Sequence, residues 1–292
     1  MTQNEHIKQK LQTYPQDLFE SYLENLLQAM PGPFSYIVGY GSCLSQTTQS
    51  DTSVPDFYVV VHDYKTFYSS WKAKQLNRHL PPNIYHFYAD DVILKYCVIS
   101  RDDLLAQVQI DAPDVYHMGR FSKRIALVYK HDEDALEHLL NIHTTAMRSA
   151  FTLSHRLLGP SADLDQAIEK TLALSYIGDV RIEADDKVKK IYSAEKQYYQ
   201  EVYAPLLEEW NDQDPRQEKD EKLSFWIRKS RIRARMRWIK NVITASSWID
   251  YMLFKIERTK GIKLEVTERQ KKFWFISIWP ILWKFQRDKI IK

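Results

Sequence analysis

The chain is poor in cysteine, in extended apolar runs and in net charge, and each shortage removes a class of function. Its 292 residues include two cysteines, Cys43 and Cys97. They stand far apart and outside any Cys-x-x-Cys spacing, so neither a disulfide framework nor a zinc site is expected, and a reducing, cytoplasmic compartment fits best. No run of 18 or more apolar residues occurs, so no conventional membrane-spanning helix is expected. The opening residues Met1 to Ile7 have neither the order of a signal peptide nor the Arg-rich, acid-poor composition of a transit peptide. A formal charge of +3 does not imply nucleic acid as a partner. The length allows two domains and a well-buried core.

What is present centres on Tyr36 to His62, which reads as strand, glycine turn, polar loop and strand. Tyr36, Ile37 and Val38 are β-formers that stop at Gly39 and Gly41, where the backbone can bend and approach a ligand without a Cβ in the way. Tyr40 lies between the glycines, and Ser42 sits at the tip. Phe57 to Val61 reads as a buried strand with one carboxylate, Asp56, at its entrance. Asp56 is the candidate ligand for Mg²⁺ or another divalent cation, because hard cations take one or two carboxylates plus phosphate oxygens, while N–H groups at a Gly-Ser turn cradle phosphate. Taken alone, the stretch is equally an ordinary hairpin-like connection.

Along the rest of the chain, residues 16–30 place Leu18, Phe19, Tyr22, Leu26 and Met30 on one helical face, ended by Pro31-Gly32-Pro33. Residues 63–78 read as a helix with Phe67, Tyr68 and Trp71 as its apolar contacts. Residues 80–83 form a loop, 84–88 a strand, Asp90-Asp91 a turn and 93–99 another strand. Lys95 is the odd residue of that strand: either an edge or rim lysine, or, if the strand lies beside Asp56, an ammonium aimed at nucleotide phosphates. Ser100 caps a helix over 104–109. Gly119, Arg120, Lys123 and Arg124 precede an apolar run, 125–129, and form either an anion-binding corner or a solvated turn.

From Asp134 the pattern is helical, over 135–157, 164–174 and 184–207, so a boundary falls near 118–130. Ser175, Tyr176, Asp179 and Arg181 gather around Gly178, as either a functional segment or an ordinary helix end. Residues 210–222 read as a polar loop, and 241–256 as a more apolar helix. Between them, 227–240 carries seven cations and no acid, with charges nearly all the way round a helix.

The tail runs from Lys271-Lys272 through Phe273–Phe285, with Trp274, Trp279, Trp283 and Lys284. As a helix its 13-residue apolar run would rise only ~20 Å, against a hydrocarbon core of ~30 Å. Tryptophans between cations fit an anchor lying in the interface of an anionic membrane; docking in the protein's own core, or in a second copy as a homodimer, is the alternative.

A metal-triphosphate site and a membrane anchor together suggest an enzyme joining a nucleotide to a lipid phosphate. A phosphate monoester is already largely ionised near neutral pH, its second pKa being ~6, so positioning and charge neutralisation suffice and no general base is needed. The sequence also resembles the mitochondrial-type phosphatidate cytidylyltransferases, the translocator assembly and maintenance family. Four stretches carry the resemblance, in order: Gly39-Tyr40-Gly41-Ser42 with Asp56; Lys95-Tyr96 with Val98-Ile99-Ser100; Gly119-Arg120 with Lys123; and Leu174-Ser175-Tyr176 with Gly178-Asp179 and Arg181.

The resemblance implies an α+β fold: a polymerase-β-like nucleotidyltransferase domain (1–125), a mostly helical, winged-helix-like domain (126–256) and a C-terminal membrane-binding segment (257–292). It implies CTP and phosphatidic acid as substrates and CDP-diacylglycerol and pyrophosphate as products. Gly39 to Ser42 would bind the triphosphate and Asp56 the metal. Lys95, Arg120 and Lys123 would neutralise phosphate charge, and Ser175, Tyr176, Asp179 and Arg181 would close the site. A bacterial member, peripheral on the cytoplasmic face of the inner membrane, is the expectation. Cys43 and Cys97 stand where the family usually shows glycine, and Arg124 where it shows proline. Two other readings remain: nucleotidyl transfer to a non-lipid acceptor, and a non-enzymatic membrane or RNA-binding adaptor using 227–240.

Overall fold

The computed structural model of the chain describes residues 2–44, 54–90, 92–159, 162–177, 185–212, 221–244 and 248–261, with 263, 266, 267, 269 and 270. The apolar runs of its first half hydrogen-bond into one five-stranded sheet: β1 (Tyr36–Tyr40), β2 (Asp56–Val61), β3 (Asn83–Ala89), β4 (Val92–Ser100) and β5 (Ile125–Lys130). The strand order is β3-β4-β2-β1-β5, with β2 and β4 parallel and the other pairs antiparallel. The parallel pair requires a crossover, supplied by two short helices, α3 (Tyr64–Phe67) and α4 (Trp71–His79), and by β3.

Both faces of the sheet are covered, which is why its inner strands read as near-continuous apolar runs. One face presents Ile37, Phe57, Val59 and Val98 to Phe19, Leu26 and Phe67, from α2 (Gln16–Gln28) and α3. The other presents Tyr36, Val38, Tyr58, Val60 and Ile99. Against it pack α1 (Gln3–Leu11) and the helices that follow β5: α7 (Ala135–Leu158), α8 (Leu164–Ile177), α9 (Asp185–Ala194) and α10 (Lys196–Asp212). One buried cluster therefore runs from the sheet into the helical part of the chain. Before β5 lie α5 (Arg101–Val108), capped by Ser100 as its sequence indicates, and α6 (Tyr116–Phe121). Two further helices, α11 (Glu221–Thr244) and α12 (Trp248–Lys260), complete the described elements.

Several local expectations change. β1 does not stop at Gly39 but runs through it to Tyr40. That glycine serves packing, since a Cβ there would come within 2.4 Å of the Phe19 ring. The helix expected over 63–78 is broken between Phe67 and Trp71, and Trp71 is exposed rather than an apolar contact. Lys95 is not an edge residue, because β3 lies outside β4. Residues 116–121 form a buried helix rather than a solvated turn, and Arg124 is buried as well, donating to the Lys10, Thr13 and Ile125 carbonyls.

The cations of 227–240 are likewise not all presented to solvent. Arg233 and Arg237 reach the fully buried Asp114 at 2.5 and 2.8 Å. Lys240 donates to the carbonyls of Leu80 and Pro82 at 2.5 and 2.7 Å and to Asn83 Oδ1 at 3.1 Å. Lys271, Lys272, Trp274, Trp279, Trp283 and Lys284 lie outside the described residues.

Candidate active site

Sheet register assembles the first part of the site. Residues directly opposite one another across a ladder share a face, and one row crosses all five strands: Ile125, Tyr40, Asp56, Lys95 and His86. Asp56 and Lys95, 39 positions apart in the chain, become neighbours, with Lys95 Nζ 3.2 Å from Asp56 Oδ1. The pair keeps access to solvent, at 27% exposure for Asp56 and 13% for Lys95. Gly41 follows at the end of β1 with φ +99°, in the left-handed region that favours glycine. A Cβ there would lie 3.5 Å from Asp56 Oδ2, so the turn passes directly beside the carboxylate. Ser42 opens a short 3-10 turn, Ser42–Leu44, in which the Leu44 N–H donates to the Gly41 carbonyl.

Helix α6 supplies the second part. Arg120 lies 4.0 Å from the centre of the Tyr116 ring and 5.9 Å from that of Tyr40, which sets its guanidinium over the Asp56 row. The three charges converge on Cys97, one step inward along β4. Burial pushes that thiol up, Lys95 and Arg120 oppose the shift, and Asp56 adds to it. The Tyr40 hydroxyl, 3.7 Å from Cys97 Sγ, is pushed up by burial, with Cys97 and Asp56 adding. Neither group ionises at neutral pH. The charges facing the opening of the row are therefore Asp56, Lys95 and Arg120.

The same helix joins the third and fourth sequence stretches. Gly119 meets the backbone of α8 so closely that a Cβ would fall 2.6 Å from Ser175 N and 2.8 Å from its Cα. Lys123 Nζ stands 4.2 Å from the centre of the Tyr176 ring. The Ser175 hydroxyl donates to the Leu172 carbonyl of its own helix. Asp179 and Arg181 lie outside the described residues, as does the side chain of Ser42.

Three contributors were not among the expected site residues. His86 completes the row on β3; burial, with Lys95 adding and Asp250 opposing, holds it down to about 4, so it is neutral at physiological pH. Its position was readable from the turn residues the sequence offers after Ala89, since pairing Ala89 with Val92 pairs His86 with Lys95. Tyr251 of α12 stacks on His86 at 4.4 Å and 21°. Arg237 lies 4.4 Å from the Tyr116 ring centre, which puts one aromatic ring between the buried Asp114 cluster and Arg120. Those two contacts are tertiary and have no sequence signal.

Comparison with known proteins matches residues 73–245 to the family described as phosphatidate cytidylyltransferase, mitochondrial. A protein of that description from Caenorhabditis briggsae is 25% identical over 197 residues, 60% of this chain and 60% of that protein. One from Caenorhabditis elegans is 33% identical over 117 residues, 39% of this chain and 35% of that protein. The matches thus span 60% and 35% of the length of these relatives, less than two thirds of either. Among solved structures, a nucleotidyltransferase-like protein from Exiguobacterium sibiricum overlays 95% of the chain and 92% of its own at 10% identity, with a TM-score of 0.28; at that score the overlay carries no argument.

Proposed function

Because the chain belongs to the family of mitochondrial-type phosphatidate cytidylyltransferases, we propose that it transfers CMP from CTP to phosphatidic acid, giving CDP-diacylglycerol and pyrophosphate for phospholipid synthesis. The observation that supports this reading most directly is the Asp56–Lys95 pair, half-open beside the Gly41 turn and overlooked by Arg120. In the reaction an oxygen of the phosphatidate phosphate bonds to the α-phosphorus of CTP. The bond from that phosphorus to the bridging oxygen breaks, and the electron pair leaves with pyrophosphate. The nucleophile needs no base, because a phosphate monoester is already largely ionised near neutral pH, and the charged groups of the site, Asp56, Lys95 and Arg120, are suited to balancing charge.

Lys95 and Arg120 would balance the charge of the triphosphate as the leaving group departs. Lys123, just after α6, and Ser175 and Tyr176 of α8 would meet the nucleotide, with Asp179 and Arg181 following in the sequence. Asp56 is the residue that would hold a divalent cation such as Mg²⁺. Hard divalent cations take one or two carboxylates together with phosphate oxygens, so Asp56 would share the ion with the triphosphate and with at most one further carboxylate, for which Asp51 and Asp63 are the candidates in the sequence. Such an ion, when bound, supplies charge neutralisation at the phosphates. The tail bearing Lys271, Lys272, Trp274, Trp279, Trp283 and Lys284 would hold the enzyme on an anionic membrane, on the cytoplasmic face of a bacterial inner membrane. No described helix is long and apolar enough to cross a membrane.

The test supplies CTP, phosphatidic acid in detergent micelles and a series of divalent cations, and follows CDP-lipid and pyrophosphate together. Both products are expected in equal amounts. Folded protein that forms neither under any cation overturns the assignment, and pyrophosphate released only with a non-lipid acceptor reassigns the acceptor.

A further inference from the structure

Helix α11 is anchored by one side and leaves the other open. Arg233, Arg237 and Lys240 bind Asp114 and the carbonyls of the 80–82 loop, and these contacts fix the rotation of the helix about its axis. Turned away from them are Phe225, Ile232, Met236 and Ile239, each half or more exposed. Spacings of seven, four and three put these four on one stripe along the helix. The stripe is flanked by Arg228, Lys229, Arg231 and Arg235, all exposed, and among the described residues none of the four is paired with an acid. Trp238, also exposed, stands one turn along from Arg235.

We propose that this outward face of α11 is a membrane-docking surface that lies on an anionic bilayer, its aliphatic stripe in the acyl boundary and its cations at the headgroups. The proposal goes beyond the transferase reading and does not require it. A stripe of large apolar side chains bordered by cations is the pattern of an interfacial helix. Phosphates of a nucleic acid would meet the cations but give Ile232, Met236 and Ile239 no apolar partner. A second copy is disfavoured by charge: no acidic residue occurs between Glu221 and Asp250, so two such faces would oppose like charges. Residues 271–292 of the same chain are no better suited, with six Lys and Arg against one acid, Asp288.

The position also serves a lipid substrate. Arg237, on the anchored side, lies against the Tyr116 ring on which Arg120 rests, so the docked helix and the candidate site share one packed frame.

The experiment places a nitroxide on the full chain through Met236→Cys, selective because Cys43 and Cys97 are buried. Accessibility to oxygen and to a water-soluble nickel complex is read with phosphatidylcholine vesicles, with and without phosphatidylserine. With anionic vesicles the label is expected to gain oxygen contact and lose nickel contact. Arg228→Glu, Lys229→Glu, Arg231→Glu and Arg235→Glu together should weaken vesicle binding by ~600-fold or more, a Lys or Arg near an anionic surface being worth roughly five-fold each. Three results overturn the proposal: a label that stays in water while the protein binds vesicles, a label immobilised without vesicles, or no vesicle binding at all. Micelle turnover is measured separately, so an inert enzyme with an inserted helix fails the transferase reading and leaves this one standing.

Discussion

Two acid–base clusters lie within reach of Tyr116, and they differ in how completely the acid is satisfied. Asp114 is sealed: its carboxylate takes Arg233, Arg237 and the Tyr116 N–H, and neither Asp114 nor Arg237 is more than 2% exposed. Burial pushes Asp114 up, but Arg237 and the hydrogen bonds outweigh it, so the carboxyl stays below the usual range. Asp56 is open: one oxygen meets Lys95, the other faces the bare backbone of Gly41, and solvent reaches the pair. A saturated buried cluster holds elements together, and an open one has capacity left for a ligand. Density of cations in the sequence does not mark the open cluster, because seven charges in 14 residues of α11 include three committed to architecture.

That contrast can be broken in order of effect. Asp56→Ala should lower turnover about 10³-fold, the scale of a lost charge-stabilising contact, with an unchanged melting curve; full activity would remove Asp56 from the mechanism. Asp114→Ala should do the opposite, destabilising the fold by ~3–5 kcal/mol because two arginines lose a buried partner. Chemical denaturation checks it, and an unchanged midpoint would mean that the cluster contributes little. Lys95→Met should reduce turnover roughly 10²-fold with a small change in stability, measured as kcat on folded protein. Gly119→Ala sits between the two clusters: its methyl would meet the α8 backbone, costing about 1–3 kcal/mol and loosening the support of Arg120, so stability and turnover should fall together.

A further effect is shared by the whole fold. Burial holds His86, His138 and His143 down to about 4. An unfolded chain takes up these protons near pH 6.5, so between about 6.5 and 4 it binds more protons than the native state. Stability should therefore fall as pH drops through that window and be free of this penalty above it. Thermal melts across pH 4–7 test the sign.

Much of the sheet was legible because β-branched and aromatic runs bounded by turn residues have few other uses; β2, β4 and β5 lie where their sequences put them. Asp56 was legible as one carboxylate opening an apolar strand, and Lys95 as one cation inside another. Gly39 was misread, since a glycine that admits a neighbouring ring and a glycine that ends a strand look the same in one dimension. The 116–121 helix was missed because six residues carry too little periodicity, and what stabilises it is contact with α7 and α8.

By itself, then, the sequence determined the ingredients: a glycine turn, one carboxylate, scattered cations, β-rich and helix-rich halves, and a cationic aromatic end. These are local properties, set by backbone freedom and side-chain chemistry within a few residues. Only the tertiary structure decided their partners. Register brought Asp56 to Lys95 and His86, close backbone packing at Gly119 joined α6 to α8, and the buried Asp114 chose which cations of α11 turn inward. Each of those outcomes depends on contacts between residues far apart in the chain, where burial and charge act through space rather than along it.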